Sequence, residues 1–447
     1  MASVTGTAPP RAASQRDKLM MLVATAARMG LGLVTFVLLA RFLGPAQFGV
    51  IATAMAYGSL LAMATDYGLA TSALRLASMT PDRTGAIVGD AVAVKAALAV
   101  PTFAAALALV LWATPIAALG VVALIFLGTL AYSFADLMMV AVRAHRRFDV
   151  EAAVVVATSA VMLAVVGGVA AATRSLLPTA LAFMATRLAY LVVVRIVLAD
   201  WLEPLARLGR SLAAMRQTLR ASAAYALDNL LTVLSGQIDV LVFATMLTTL
   251  DLGIYQAGAR LVQVIAPFAV VLATVHLPAL SSAVASGGAG AFRSNARRAM
   301  IEFSALGIAV GLAFAVLGPL LTRWFYGSAY APLGPLWAGF AAYAMFRLAG
   351  AGFGVPLVAL GKMKARILVN IISLISFAVL SFFLIPKLGI AASSWMLAAL
   401  GGMTFFGLFA VLIACAEAPR RIMMILAGVI SGAASLIFAI SAMGVIS

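Results

Sequence analysis

Residues 19–50 read LMMLVATAARMGLGLVTFVLLARFLGPAQFGV, and up to position 40 the only charge is Arg28. A bilayer core about 30 Å thick takes roughly 20 apolar residues per helix, which is the length of that run. The stretch therefore reads as one membrane-crossing helix, a short turn, and the start of a second. Working outward, the whole 447-residue chain is 65% hydrophobic and 10% charged, with a mean hydropathy of +1.14. Soluble domains run near 45–50% apolar and about 25% charged, so a water-soluble fold is excluded.

Thirteen candidate spans follow, at about 19–40, 47–71, 87–112, 116–142, 150–173, 176–198, 222–247, 252–285, 301–324, 332–360, 366–386, 389–414 and 422–446. They are rich in Ala, Leu, Val and Gly without a period of two, so they are expected to be helices rather than barrel strands. With the amino terminus cytoplasmic, the inside segments hold twenty basic residues. The outside segments then hold four, Arg41, Arg174, Arg323 and Lys387. That asymmetry fits the positive-inside rule in every loop. It also accounts for the net charge of +16 without nucleic acid, because the charge is spread over short loops on one membrane face. The first span lacks a small-residue cleavage site and is expected to stay in the protein.

One cysteine, Cys415, excludes a disulfide framework, and two histidines, His145 and His276, leave little for a metal centre. No GxxxxGK[ST] loop is present, which argues against a P-loop ATP-driven pump. No metal or resident cofactor is expected.

The chain divides into a disordered cytoplasmic tail at 1–18, a six-helix lobe at 19–198, a cytoplasmic linker at 199–221, a second six-helix lobe at 222–414, and an additional helix at 415–447. FLGPAQFGV at 42–50 and MLTTLDLGI at 246–254 share Leu, Gly and an aliphatic end at an offset of 204. Each lobe holds an even number of spans, so the lobes are parallel repeats, a recurring design of secondary transporters.

Four stretches carry a family resemblance: ARFLGPAQFGVIATAMAYGSLLAMATDYGLATSALRLAS at 40–78, QIDVLVFATMLTTLDLGIYQAGARL at 237–261 with LPALS at 277–281, FYGSAYAP at 325–332, and ALGKMKARILVNIISLISFAVLSFFLIPKLGIAASSW at 359–395. In that order the chain resembles the polysaccharide-export flippases of the MOP superfamily, which also contains the lipid II flippases and the multidrug and toxin extrusion transporters. Ala392 and Ser393 stand where the family usually has Gly-Ala, and a thirteenth span departs from the usual twelve or fourteen. The resemblance implies an all-α bundle of about 12–14 transmembrane helices, V-shaped around a central cavity. It implies a transporter, not an enzyme, that moves a polyprenyl-pyrophosphate-linked oligosaccharide from the cytoplasmic to the outer leaflet of a bacterial plasma membrane by alternating access. Membrane lipids, and a polysaccharide polymerase or export machinery, are the partners to expect.

An anionic substrate calls for a cationic path, and six basic residues fall inside spans: Arg28, Lys95, Arg187, Arg195, Arg260 and Arg347. Each central charge costs about 2.5–3.5 kcal/mol on insertion scales, so retaining several calls for a reason. Arg195, near a span end, is expected to snorkel and is left out. The other five are the substrate-binding candidates. Arg28 either binds pyrophosphate through its guanidinium fork or pairs with a carboxylate on a neighbouring helix. The lipid II flippases carry cavity arginines on their first and eighth helices, where this chain has Arg28 and Arg260.

Among the carboxylates, Asp66 and Asp136 sit near span ends and are expected to neutralise basic residues. Asp239 and Asp228 are the ion-coupling candidates for H+ or Na+, with Gln237 and Asn229 supplying further oxygens to an ion at Asp239; the alternative for Asp239 is a salt bridge to Arg260. Pro101, Pro267, Pro278 and Pro356 are expected to kink or loosen their helices. Two rival functions are a multidrug or organic-cation antiporter, which would need an acidic cavity, and a membrane enzyme of polysaccharide assembly, which would need acid/base groups in an outside loop.

Overall fold

The computed structural model describes residues 15–113, 116–199, 201, 212–415 and 418–442. Most of the expected tail, 1–18, lies outside the described residues, as do 200 and 202–211 of the expected linker. The helices are α1 (Gln15–Asp66), α2 (Leu69–Met79), α3 (Thr84–Ala113), α4 (Ile116–Met138), α5 (Val140–Ala144), α6 (Phe148–Thr173), α7 (Leu176–Val197) and α8 (Leu212–Phe243). They continue as α9 (Thr249–Gln263), α10 (Ala266–Ala285), α11 (Ala289–Phe325), α12 (Trp337–Ala359), α13 (Met363–Leu388), α14 (Ile390–Ile413) and α15 (Arg420–Ala442). A lipid-embedded chain must satisfy its backbone internally, and among the described residues no strand competes with these helices.

Eleven segments among the described residues are long and apolar enough to cross a membrane. The first of them, Val23–Asp66, is 44 residues long, enough for two crossings of about 20 residues each. It is broken at Gly44, whose φ of 74° and ψ of 168° suit glycine alone, and Pro45 follows without an N–H to donate. The short apolar piece Val233–Phe243 on α8 is the described counterpart of the seventh expected span.

Boundaries differ where sequence polarity and helix length disagree. α8 begins at Leu212 inside the segment expected as linker, and α11 begins at Ala289, twelve residues before the expected span. Both early turns carry arginines, so hydropathy ended the spans while the helices ran on. The eighth expected span is interrupted at Val264–Ile265, and Pro267 stands in the first turn of α10. Pro101, Pro278 and Pro356 lie inside continuous helices.

Three apolar clusters organise the packing. One gathers Leu69, Val88, Leu137 and Tyr190 in the first half, and another gathers Phe292, Phe303, Phe353 and Phe405 in the second. The largest joins the halves where α1 meets α9, around Phe48, Ile254, Tyr255, Tyr330 and Trp337. Outward-facing residues such as Val316, Val275 and Phe382 are exposed and apolar, as lipid contact requires.

Candidate functional site: a cavity lined by three arginines

Where the halves meet at the Gly44 end, the contact is reciprocal. A Cβ on Gly49 would stand 1.9 Å from the Thr249 carbonyl oxygen, and a Cβ on Gly253 would stand 1.9 Å from that of Pro45. Gly253 and Thr249 are Gly49 and Pro45 displaced by the same offset of 204 that relates the two sequence segments. The weak repeat is thus a two-fold contact in which each glycine admits the other helix's backbone. Tyr330 Oη donates to Ala40 O at 2.9 Å and Arg41 Nη1 to Trp324 O at 3.1 Å, closing this end further.

At the Asp66 end the seam is polar. Ser72 Oγ lies 2.6 Å from Ser222 Oγ, Arg75 Nη1 donates to Tyr225 Oη at 3.1 Å, and Asn229 Nδ2 donates to Asp66 Oδ2 at 3.4 Å. Between the two ends lies a cavity of about 270 Å³. Arg28 from α1, Arg187 from α7 and Arg260 from α9 all line it, with Gln237 from α8. These arginines come from distant parts of the sequence and from both halves.

Aromatic rings set the guanidinium planes. The Arg187 Cζ lies 4.3 Å from the Tyr132 ring centroid and 5.2 Å from that of Phe183, and the Arg260 Cζ lies 4.5 Å from that of Phe36. With their faces on rings, the guanidinium groups offer hydrogen-bond donors only at their edges. Nε of Arg187 and Nε of Arg260 are buried and have no protein partner. Arg260 Nη1 donates to Gln263 Oε1 at 3.1 Å. Unpaired buried donors at a cavity wall are costly unless a ligand meets them.

Arg28 is placed at the cavity and beside carboxylates at once. It lines the cavity, and it stands 3.7 Å from Asp136 Oδ1 and 3.8 Å from Glu151 Oε1. The same carboxylates are held more closely by Arg143, at 2.8 and 3.0 Å, and the two arginines together balance the charges of Asp136 and Glu151.

Lys95 is not brought to the cavity. Its ammonium is fully buried and donates to Asp66 Oδ1 at 2.9 Å, Ser133 O at 3.0 Å and Ser133 Oγ at 2.7 Å. All three ammonium donors are used, which makes it a fastener of the Asp66 seam. Replacing Lys95 by Met would strand the Asp66 carboxylate, and breaking a buried pair this way costs about 3–5 kcal/mol. The expected result is a clear fall in the unfolding temperature of purified Lys95→Met, largely recovered when Asp66→Asn is added. Unfolding at the wild-type temperature in the single variant would return Lys95 to the binding candidates.

Arg347 is not brought to the cavity either. It is exposed on α12, one turn from Tyr343, whose ring lies against Gly401 of α14. Asp239 is buried and accepts a hydrogen bond from Tyr255 Oη at 2.7 Å; among the described residues it forms no ion pair with Arg260. Its expected oxygen neighbours are elsewhere. Gln237 faces the cavity and Asn229 bonds Asp66, because residues two apart on a helix point to different sides. Asp228 falls on α8 at a position whose side chain lies outside the described residues.

Sequence reading missed the aromatic walls, Phe36, Tyr132, Phe183 and Tyr190, because rings are common in spans and nothing local marks the ones that stack on arginines. It also missed Glu151 as a neighbour of Arg28, and Arg143 as the arginine that shares Glu151 and Asp136 with it.

A family profile described as "Polysaccharide biosynthesis protein" matches residues 15–284. A search of curated proteins finds no match. Among solved structures, the inward closed conformation of the lipid II flippase MurJ superposes with a TM-score of 0.69 at 12% identity, covering 95% of this chain and 92% of that one. An inward-facing multidrug resistance MATE family transporter of the MOP superfamily gives 0.62 at 13% identity, covering 92% and 99%. A MOP superfamily transporter from Pyrococcus furiosus, described as having reverse polarity of its binding pocket, gives 0.56 at 13% identity, covering 92% and 95%. At these identities the likeness is one of fold.

Proposed function

The chain belongs to the polysaccharide biosynthesis protein family, a flippase family of the MOP superfamily, and from that premise and its cavity we propose that it flips a polyprenyl-pyrophosphate-linked oligosaccharide across a bacterial plasma membrane. The carrying observation is the convergence of Arg28, Arg187 and Arg260 on one cavity. Arg28, Arg143, Arg187 and Arg260 set against Asp136 and Glu151 leave two formal positive charges, the number that neutralises a doubly charged diphosphate diester. Asp239 stands outside this balance, held by Tyr255. Edge-on guanidinium donors suit phosphate oxygens.

The cavity volume of about 270 Å³ lies just below the roughly 300–1,000 Å³ of small-molecule sites. It fits a headgroup, while a polyprenyl tail would remain in lipid. With the amino terminus cytoplasmic, the Asp66 end faces the cytoplasm and the Gly44 end faces outward, so opening one seam and then the other moves the headgroup between leaflets. On this reading the protein is a transporter rather than an enzyme, and a polymerase or export machinery takes the glycan on the far side. Transport driven by an H+ or Na+ gradient belongs to the same reading; an ion at Asp239 would have to compete with the Tyr255 phenol.

The test is ligand stabilisation of the purified protein. A polyprenyl-pyrophosphate oligosaccharide is expected to raise the unfolding temperature, while the same lipid glycan without phosphates and a lipophilic organic cation are expected to leave it unchanged. Stabilisation by the cation alone would favour the drug antiporter instead.

A further inference from the structure

A second set of titratable groups lies inside the spans, away from the arginine cavity. His276 Nε2 stands 2.8 Å from Glu302 Oε2, with the His276 side chain 8% exposed and that of Glu302 45% exposed. Both belong to segments long and apolar enough to cross the membrane, Thr249–Ala285 and Ala289–Phe325. Glu302 opens the apolar run of α11 just past Arg293, Arg297 and Arg298, and the buried His276 meets it there, so the pair sits at the arginine-bearing margin of the two membrane-crossing segments. Ionisable groups paired within such segments point to function rather than to packing.

The surroundings leave the pair largely to itself. On α10 itself the sequence from Ala266 to Ala285 holds no ionisable residue besides His276. α10 packs on α11 and α12. From α11 the nearest neighbours along the helix are Phe303, whose ring centroid is 6.3 Å from the imidazole, and Arg298, exposed a turn earlier; Arg293 and Arg297 lie nearer its start and Arg323 near its far end. From α12 the titratable groups are Tyr343 and Arg347, on the flank toward α14. α15, which packs on α11, carries only Arg420 and Arg421, at its first two positions, and α1 meets α11 through Arg41 at Trp324.

We propose that His276 and Glu302 form a proton-binding site that couples transport to a pH gradient; the coupling rests on the flippase reading above. With one proton the pair is neutral, shared as imidazole with carboxyl or imidazolium with carboxylate. Without that proton it is anionic and disfavoured in the bilayer. Imidazole is the side chain whose ordinary titration range falls at physiological pH. The half-exposed carboxylate gives the proton a way in and out, while the buried ring holds it. α10 starts just past the break that follows α9, the helix carrying Arg260. A change of charge between α10 and α11 therefore acts on the helix that continues from the cavity wall.

Two measurements test this. In a weakly buffered sample carrying His145→Gln, acidification from about pH 8 to about pH 6 is expected to take up roughly one proton per chain more than in the same protein with His276→Gln added. Equal uptake would overturn the site, and this readout needs no transport. In liposomes, a pH gradient is expected to accelerate glycan flipping by wild type several-fold, with His276→Gln and Glu302→Gln flipping at the gradient-free rate under both conditions. Undiminished acceleration in His276→Gln, or no acceleration in wild type, would overturn the coupling and leave the flippase reading standing. Absence of any flipping would overturn the flippase reading and, with it, the coupling, while proton uptake would still decide the binding site.

Discussion

Arg260→Ala is expected to slow flipping of a polyprenyl-pyrophosphate glycan by about ten- to a hundredfold, with the protein present in the membrane at its normal level. A hydrogen bond to a charged group contributes about 1.5–3 kcal/mol, and each 1.4 kcal/mol is a tenfold change. The buried Nε of Arg260 has no protein partner, while its Nη1 bonds Gln263 and its guanidinium packs on Phe36, so truncation should cost some stability beside the larger loss of transport. Arg187→Ala should behave alike, because its guanidinium packs on Tyr132 and Phe183. Arg28→Ala should lose transport as well, at a modest cost in stability, because Arg143 keeps the shorter contacts to Asp136 and Glu151 while one carboxylate charge loses its counter-charge. Lysine at these positions should recover part of the rate if charge matters more than the planar fork. Wild-type transport in Arg28→Ala and Arg260→Ala together would remove the cationic site.

Gly253→Leu is expected to hold the protein open at the Gly44 end. Any Cβ there meets a backbone oxygen of Pro45 rather than a yielding side chain. Overpacking of this kind costs typically 1–3 kcal/mol, and here the cost falls only on the state in which α1 and α9 touch. With Cys415→Ala removing the native thiol and Thr35→Cys placed in the cavity wall, an impermeant reagent added outside should label the Gly253→Leu variant about tenfold faster or more. Gly49→Leu should do the same, since the contact is reciprocal. Unchanged labelling in both would show that this crossing does not gate the cavity.

The fold was legible because the bilayer imposes long apolar runs, and each expected span has a helical counterpart. The repeat was legible through Gly49 and Gly253 at one offset, while the contact between the two glycines was not, because it depends on how the halves pack. The site was only partly legible, for a geometric reason. Whether a basic residue within a span faces a cavity or a carboxylate depends on helix rotation against neighbours far away in sequence. Arg187 and Lys95 look alike as single charges in apolar runs, yet one stacks on Tyr132 and the other is consumed by Asp66, 29 residues away. Gln237 and Asp239 are two residues apart in the chain but lie on different sides of α8. Glu302 escaped notice because hydropathy placed the span boundary beside it, while the helix had begun thirteen residues earlier.

The most direct test of the cationic-cavity account uses purified protein in liposomes containing a labelled polyprenyl-pyrophosphate oligosaccharide, with an impermeant lectin reporting glycan that has crossed. The account predicts accessible glycan well above empty-liposome controls for wild type and a collapse toward those controls for Arg260→Ala. Equal accessibility with wild type, Arg260→Ala and empty liposomes would contradict it.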